Sequence, residues 1–316
     1  MIVRWGAAEL PAVLRELEIE RPFLVASERW DKLDLPAAAR WREIPSHRIA
    51  APEDVDGVLA VGGGSAIDTA KAASAATGLP LVSLPTTYSG AEWTSSFGVR
   101  DPDKRMIGGG GGARPAGIVY EVELTLGLPR NQTGGTALNA LAHCAEALYA
   151  AGRTDVGDRE ALAGAALISD WLPRVLDDGS NREARRRLLE GAMHSGAALA
   201  GAGLALGHAI AQALGGRYGL PHGAMNALAL PAALRFNEPV ASDAISRFGR
   251  AMGTDDPIGR VEELARLGGF IRLRDEGVPG DELDEVAAAA AKRPGALANP
   301  RPASPAEIAE LLRSIW

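Results

Sequence analysis

Asn139 and His143 stand four residues apart in ALNALAHCAEALYA, so one helix face presents an amide and an imidazole side by side, with Glu146 one turn further on. His208 opens the segment HAIAQALGG, with Gln212 four residues later. His222 lies in LPHGAMNALALP, where proline and glycine flank it at a predicted helix entrance. Three imidazoles on separate helices suit a divalent metal, or a cluster that polarises a carbonyl and passes protons. Each histidine taken singly is also satisfied by an ordinary structural hydrogen bond, so the three contexts count only together. The remaining histidines, His47 and His194, have no such context. The single cysteine, Cys144, rules out an intramolecular disulfide, gives no support for a thiolate metal site and reads most simply as a buried helix residue.

A second constellation lies upstream, in VLAVGGGSAIDTAK at Val58–Lys71. Val58, Leu59, Ala60 and Val61 form the continuous apolar run of a strand covered on both faces. Gly62, Gly63 and Gly64 let the backbone turn and approach a ligand. Ser65 and Asp68 fall where a helix start presents free N–H groups and its positive dipole end. A strand, glycine turn and helix start in this order can hold a phosphate, although a glycine-rich turn that only packs has the same pattern.

The elements that must position these residues divide into two kinds. PFLVA at Pro22–Ala26, Val58–Val61, PLVSL at Pro80–Leu84 and GIVY at Gly117–Tyr120 are short and apolar, separated by helical or loop segments, which predicts a parallel α/β sheet. From about Leu128 the pattern becomes long alanine- and leucine-rich periods: Gly135–Ala151, Asp158–Leu176, Asn181–Ala213 and Ile258–Leu267, read as all helix. The expected division is residues 1–128 and 129–316, at Leu128-Pro129-Arg130. Five consecutive glycines, Gly108–Gly112, read as a surface hairpin tip or as a flap over the cleft. Asp281, Glu282, Asp284 and Glu285 read as a solvated helix start against the dipole.

At 316 residues the chain is long enough for two domains. A net charge of −7 supplies no basic field for nucleic acid or an acidic membrane. The N-terminus lacks the basic and apolar regions of a signal peptide, and no uninterrupted apolar stretch is long enough to span a bilayer, so a cytoplasmic protein is expected. Alanine-rich helices pack closely, and a homodimer is the expected assembly.

GGGSAIDTAK, LPTTYSGAEWTSSFGV at Leu84–Val99, IVYEVELTLGLP at Ile118–Pro129, ALNALAHCAEALYA and GHAIAQALGGRYGLPHGAMNALALP occur in the order seen in iron-containing (group III) alcohol dehydrogenases. LNALAHCAEALYA, LRDEGVPGDELDEVA and NPRP at Asn299–Pro302 most resemble the maleylacetate reductases. The resemblance covers nearly the whole chain. It implies a Rossmann-like α/β nucleotide-binding domain followed by an all-α domain that holds the substrate, the fold shared with dehydroquinate synthase-like proteins. NADPH or NADH would lie with its pyrophosphate at Gly62, Gly63, Gly64, Ser65 and Asp68. Thr86, Thr87, Ser89 and Thr94 fall on the family's second loop, towards the nicotinamide.

The family's metal pattern, Asp-x-x-x-His and two further histidines, matches Asn139, His143, His208 and His222. An amide in place of the carboxylate removes a negative charge, so the four residues are read first as a polar substrate cluster and only second as a site for iron or zinc. His143, His208 and His222 are the catalytic candidates. Gln212 stands where relatives commonly carry a proton-relaying histidine, and glutamine cannot shuttle a proton. The nucleotide domain is abbreviated between Ser27 and Val58. Ser27 replaces the aspartate that repels a 2′-phosphate, and Arg29 is near enough in sequence to pair with one, which favours NADPH. Lys104, Arg105 and Arg114 are candidates to hold a dicarboxylate. The activity implied is hydride transfer between nicotinamide and a small oxo or enoic acid, maleylacetate to 3-oxoadipate. The alternatives are a secondary-alcohol or β-hydroxy-acid dehydrogenase, whose keto product then decarboxylates, and an idle nucleotide-binding scaffold.

Overall fold

A computed structural model describes residues 1–101 and 105–316; Lys104 lies outside them. The chain divides into two compact units, Met1–Gly127 and Leu128–Trp316.

The first unit is built on strands β1 (Ile2–Trp5), β2 (Pro22–Ala26), β3 (Ala39–Trp41), β4 (Gly57–Gly62), β5 (Pro80–Pro85) and β8 (Arg114–Tyr120), all parallel, in the order β1-β8-β5-β4-β2-β3. Helices α1 (Leu10–Glu16) and α2 (Gly64–Thr77) cover it. Side chains alternate across the strands as a period of two requires. Leu24, Leu59, Val61, Val82, Leu84 and Val119 pack on one side with Leu10, Val13 and Leu14 of α1. Phe23, Val25, Val58, Ala60 and Leu81 face the other way, onto Ile67, Ala70 and Ala73 of α2. Burial on both faces explains why β4 reads as an unbroken apolar run.

Two short edge strands, β1 and β3, lie in segments where no strand was expected, and both are only partly buried, so neither carries a long apolar signal. The abbreviated stretch after Ser27 holds β3 and little else regular. The glycine run requires a correction. Gly108, Gly109 and Gly110 belong to strand β7 (Met106–Gly110), antiparallel to β6 (Phe97–Arg100), so they are paired strand backbone and not a hairpin tip.

The second unit is helical: α3 (Arg130–Ala147), α4 (Asp155–Asp177), α5 (Arg182–Ala202), α6 (Leu206–Tyr218), α7 (His222–Ala251), α8 (Pro257–Gly268), α9 (Leu283–Ala291), α10 (Pro294–Leu297) and α11 (Pro305–Ser314). The expected single period over Asn181–Ala213 is two helices, because α5 stops at Gly203 with φ +79° and α6 leaves at an angle of 101° to it. Among the described residues no single helix is long and apolar enough to cross a membrane. The acidic run at the start of α9 is paired as well as solvated: Glu282 and Glu285 meet Arg217, and Asp284 meets Arg313.

Candidate active site

In the first unit, β4 ends at Gly62, whose φ of +151° and close approach to Ala66, 2.6 Å from where a Cβ would sit, admit no larger residue. Gly63 caps α2 with no side-chain bond of its own, and Ser65 is exposed on the first turn. The first N–H groups of a helix have no intrahelical acceptor, so this turn offers backbone donors at the carboxyl edge of the sheet. The loop after β5 lies against it. Thr86 N–H donates to the Gly62 carbonyl at 3.0 Å. A Cβ on Gly63 would sit 2.8 Å from Thr87 Cγ2, and one on Gly64 would sit 3.4 Å from Ser89 Oγ. The Thr87 hydroxyl is buried with no protein partner. A glycine turn at a helix start, with an orphaned hydroxyl beside it, fits a dinucleotide phosphate.

Asp68 and Thr94 are employed differently from that cradle. Lys71, 1% exposed, donates through Nζ to Thr94 Oγ1 at 2.8 Å and to the Ser96 carbonyl at 2.9 Å, and pairs with Asp68 Oδ1 at 3.5 Å. Asp68 Oδ2 accepts from Gly98 N–H at 3.1 Å. The two thus tie α2 to the segment Thr94–Gly98. Burial pulls the Lys71 ammonium below its usual range, against the pull of Asp68 and Glu92. Beside it Trp93 Nε1 donates to Tyr120 Oη at 2.8 Å, and Tyr120 donates to Glu92 Oε1 at 2.9 Å; burial pushes the Glu92 carboxyl up, towards the neutral acid.

Ser27 follows β2 in extended backbone. Arg29 donates to the Gly127 carbonyl at 2.8 Å and lies over the Trp30 ring, so its guanidinium already has partners. Arg114 opens β8 opposite Pro80 and donates to the Gly78 carbonyl at 2.7 Å. That is the amino edge of a parallel sheet, the opposite edge from the Gly62 turn, so Arg114 does not hold a substrate there. Arg105 sits in the β6–β7 connection, its N–H on Asp101 Oδ1.

In the second unit, α3, α6 and α7 bring four of the expected residues together. The imidazoles of His143 and His208 stack at 4.6 Å and 11°, and His222 tilts over His208 at 5.7 Å. Asn139 joins them through Asn226, whose Nδ2 donates to Asn139 Oδ1 at 2.7 Å and lies 3.0 Å from His222 Nε2. An amide nitrogen only donates, so His222 Nε2 is the acceptor and the ring carries its proton on Nδ1. The approach of α7 to α3 depends on Gly223, where a Cβ would overlap the Gly135 backbone. Gln212 follows His208 by one turn of α6.

Ser195 donates to the Ala140 carbonyl at 2.8 Å, which leaves its oxygen to accept from His143 Nδ1 at 3.3 Å. Burial first, then the neighbouring His208 and His222, hold His143 well below the usual imidazole range, so the ring is neutral. His208 Nε2 and Asn226 Oδ1 are buried without protein partners. Cys144, next in sequence to His143, is buried and its thiol is pushed up to about 12, mainly by burial, which makes it a packing residue.

Asn226, Ser195 and Lys71 escaped the reading of the sequence. Asn226 left a signal: it stands four residues after His222, the same amide–imidazole spacing as Asn139 and His143. Ser195 and Lys71 left none, because a buried partner across two elements has no local pattern.

The C-terminal model of the iron-containing alcohol dehydrogenase family matches residues 133–316, and the iron-containing alcohol dehydrogenase model matches residues 47–111. The chain belongs to the iron-containing alcohol dehydrogenase family. It is 36% identical to a maleylacetate reductase of Burkholderia cepacia over 88% of this chain and 78% of that one. With maleylacetate reductase 1 of Rhodococcus opacus the identity is 35%, over 83% and 73%. Among solved structures, an iron-containing alcohol dehydrogenase from Corynebacterium glutamicum superposes with a TM-score of 0.90 at 27% identity, covering 100% of this chain and 94% of that one. A maleylacetate reductase from Agrobacterium tumefaciens gives 0.88 at 27%, covering 100% and 95%.

Membership implies a nicotinamide cofactor and, in name, iron. The glycine cradle fits the first. The metal position fits less well: Asn139 stands where the family pattern has aspartate, the amide of Asn226 occupies both Asn139 Oδ1 and His222 Nε2, and among the described residues no three His, Cys, Asp or Glu side chains converge to hold an ion.

Proposed function

We propose that this protein is an NAD(P)H-dependent oxidoreductase of the maleylacetate reductase type, reducing the carbon–carbon double bond of maleylacetate to give 3-oxoadipate. The observation that carries the reading is the likeness to maleylacetate reductases across both units, joined to a buried imidazole cluster with Asn139 in its carboxylate position. The bound cofactor supplies the hydride. Gly62, Gly63, Gly64, Ser65, Thr86, Thr87 and Ser89 hold it through backbone donors and hydroxyls, and Ser27, which does not repel a 2′-phosphate, favours NADPH. Asp68 and Thr94 serve the same site by fixing the loop through Lys71.

Hydride arriving at the alkene carbon β to the ketone leaves negative charge on the ketone oxygen, and the α carbon then takes a proton. His143, His208 and His222 are the groups that answer this charge and move that proton. In the resting cluster His208 Nε2 and Asn226 Oδ1 present lone pairs only. A proton must therefore enter with the substrate, whose carboxylates raise the proton affinity of nearby imidazoles. Gln212 cannot relay it.

The test is NADPH oxidation on addition of maleylacetate, followed at the nicotinamide absorbance, with 3-oxoadipate as the product. Absence of turnover over the millimolar range overturns the substrate. A secondary-alcohol or β-hydroxy-acid substrate is the second reading, favoured by the two buried acceptors, His208 Nε2 to take a hydroxyl proton and Asn226 Oδ1 to accept a hydrogen bond. Profiling in the oxidative direction separates the two.

A further inference from the structure

We infer that Glu146 is the positioning residue that fixes the tautomer and aim of His208. Its carboxylate is fully buried at the C-terminal end of α3 and accepts three N–H bonds from the start of α6. Oε2 takes Ala205 N–H at 2.6 Å and His208 Nδ1 at 2.8 Å, and Oε1 takes His208 N–H at 3.0 Å. Ala205 has no side chain to cap α6, so Glu146 supplies the cap from another helix, on the N-cap and third-position donors. Gly207 makes the approach possible, since a Cβ there would lie 2.9 Å from Glu146 Oε1.

The consequence for His208 follows from its acceptor. A carboxylate oxygen aimed at by two N–H groups accepts, so the His208 proton resides on Nδ1, and Nε2 keeps its lone pair. That nitrogen is the one buried without a protein partner. The backbone bond to His208 N–H fixes the residue's main chain and the side-chain bond fixes its ring, so one carboxylate sets both position and tautomer. Without it, His208 is free to place its proton on Nε2 and present a donor where the cluster now presents an acceptor.

The activity arm of the test rests on the reductase reading above; the spectroscopic arm does not. Long-range proton–nitrogen correlation spectra of 15N-histidine-labelled wild-type protein should show His208, assigned with a His208→Asn variant, as the Nδ1–H tautomer. A wild-type Nε2–H tautomer overturns the proposal by itself, whether or not maleylacetate is a substrate. In Glu146→Gln, whose amide can donate to the ring, the His208 signal should shift to Nε2–H, and kcat should fall about 100-fold with the Kd for NADPH within a factor of three of wild type. Glu146→Asp, which keeps a carboxylate, should restore the Nδ1–H signal and at least a tenth of kcat. If Glu146→Gln does not fold, the Glu146→Asp spectrum decides: loss of the Nδ1–H tautomer in a folded Glu146→Asp protein that keeps wild-type kcat overturns the proposal. So does an unchanged tautomer, or an unchanged kcat, in a folded Glu146→Gln protein.

Discussion

At Asn139 a single atom separates this chain from the family's metal pattern. Replacing the amide by Asn139→Asp keeps the oxygen that accepts from Asn226 and adds a negative charge beside three imidazoles. Zinc affinity, measured by titration calorimetry and by metal content after dialysis, should rise about tenfold or more, equivalent to about 1.4 kcal/mol. Equal metal content in the two proteins would show that the carboxylate is not the missing element. Cys144 gives a second residue-scale prediction. Its thiol is buried and held at about 12, so iodoacetamide at pH 8 should leave the native protein unmodified and label it fully in denaturant. The pH dependence has a definite sign. A folded-state value above the unfolded thiol value of 9.0 contributes stability that is complete below pH 9 and is lost as pH rises from 9 to 12. Thermal unfolding of wild type and Cys144→Ala across that window should converge as pH rises.

Two contacts between elements decide whether the residues meet. Gly223 lets the first turn of α7 lie against α3, which brings His222 and Asn226 to Asn139. Gly223→Ala must push the helices apart, at a cost of about 1–3 kcal/mol in denaturant unfolding, and should lower kcat more than it raises the KM for NADPH. An active, fully stable Gly223→Ala protein would mean that the approach is not needed. In the first unit Lys71 does the equivalent work between α2 and the segment Thr94–Gly98. Lys71→Met leaves Asp68 and Thr94 without their cation and should cost about 2–3 kcal/mol, less than a fully buried pair because Asp68 remains 27% exposed on its side chain. NADPH binding should weaken with it, since the second cofactor loop loses its tie; wild-type affinity in a folded Lys71→Met protein would separate the loop from the cofactor.

For the whole molecule, a homodimer is the expected assembly, and light scattering should return twice the chain mass of 32.8 kDa; a mass near 32.8 kDa would refute it. How far the molecule was legible beforehand depended on how local each signal is. Two-faced burial writes β2, β4 and β5 into the sequence as apolar runs, and glycines at Gly62–Gly64 mark a backbone turn at the sheet's carboxyl edge. The half-exposed edge strands β1 and β3 carry no such run, and the glycines of β7 conceal a strand because pairing, not side chains, defines it. In the helical unit the spacing of Asn139 and His143 was enough to mark one face of one helix. That His208 and His222 join that face was decided by the break at Gly203 and the close approach at Gly223, both of which act between segments distant in sequence. The same holds for the partners Ser195, Glu146 and Asn226. Residue type and local spacing marked which groups could do chemistry, and the family resemblance supplied which chemistry; only tertiary packing decided which atoms keep a free lone pair, because a proton's place on an imidazole is set by whatever faces the other nitrogen.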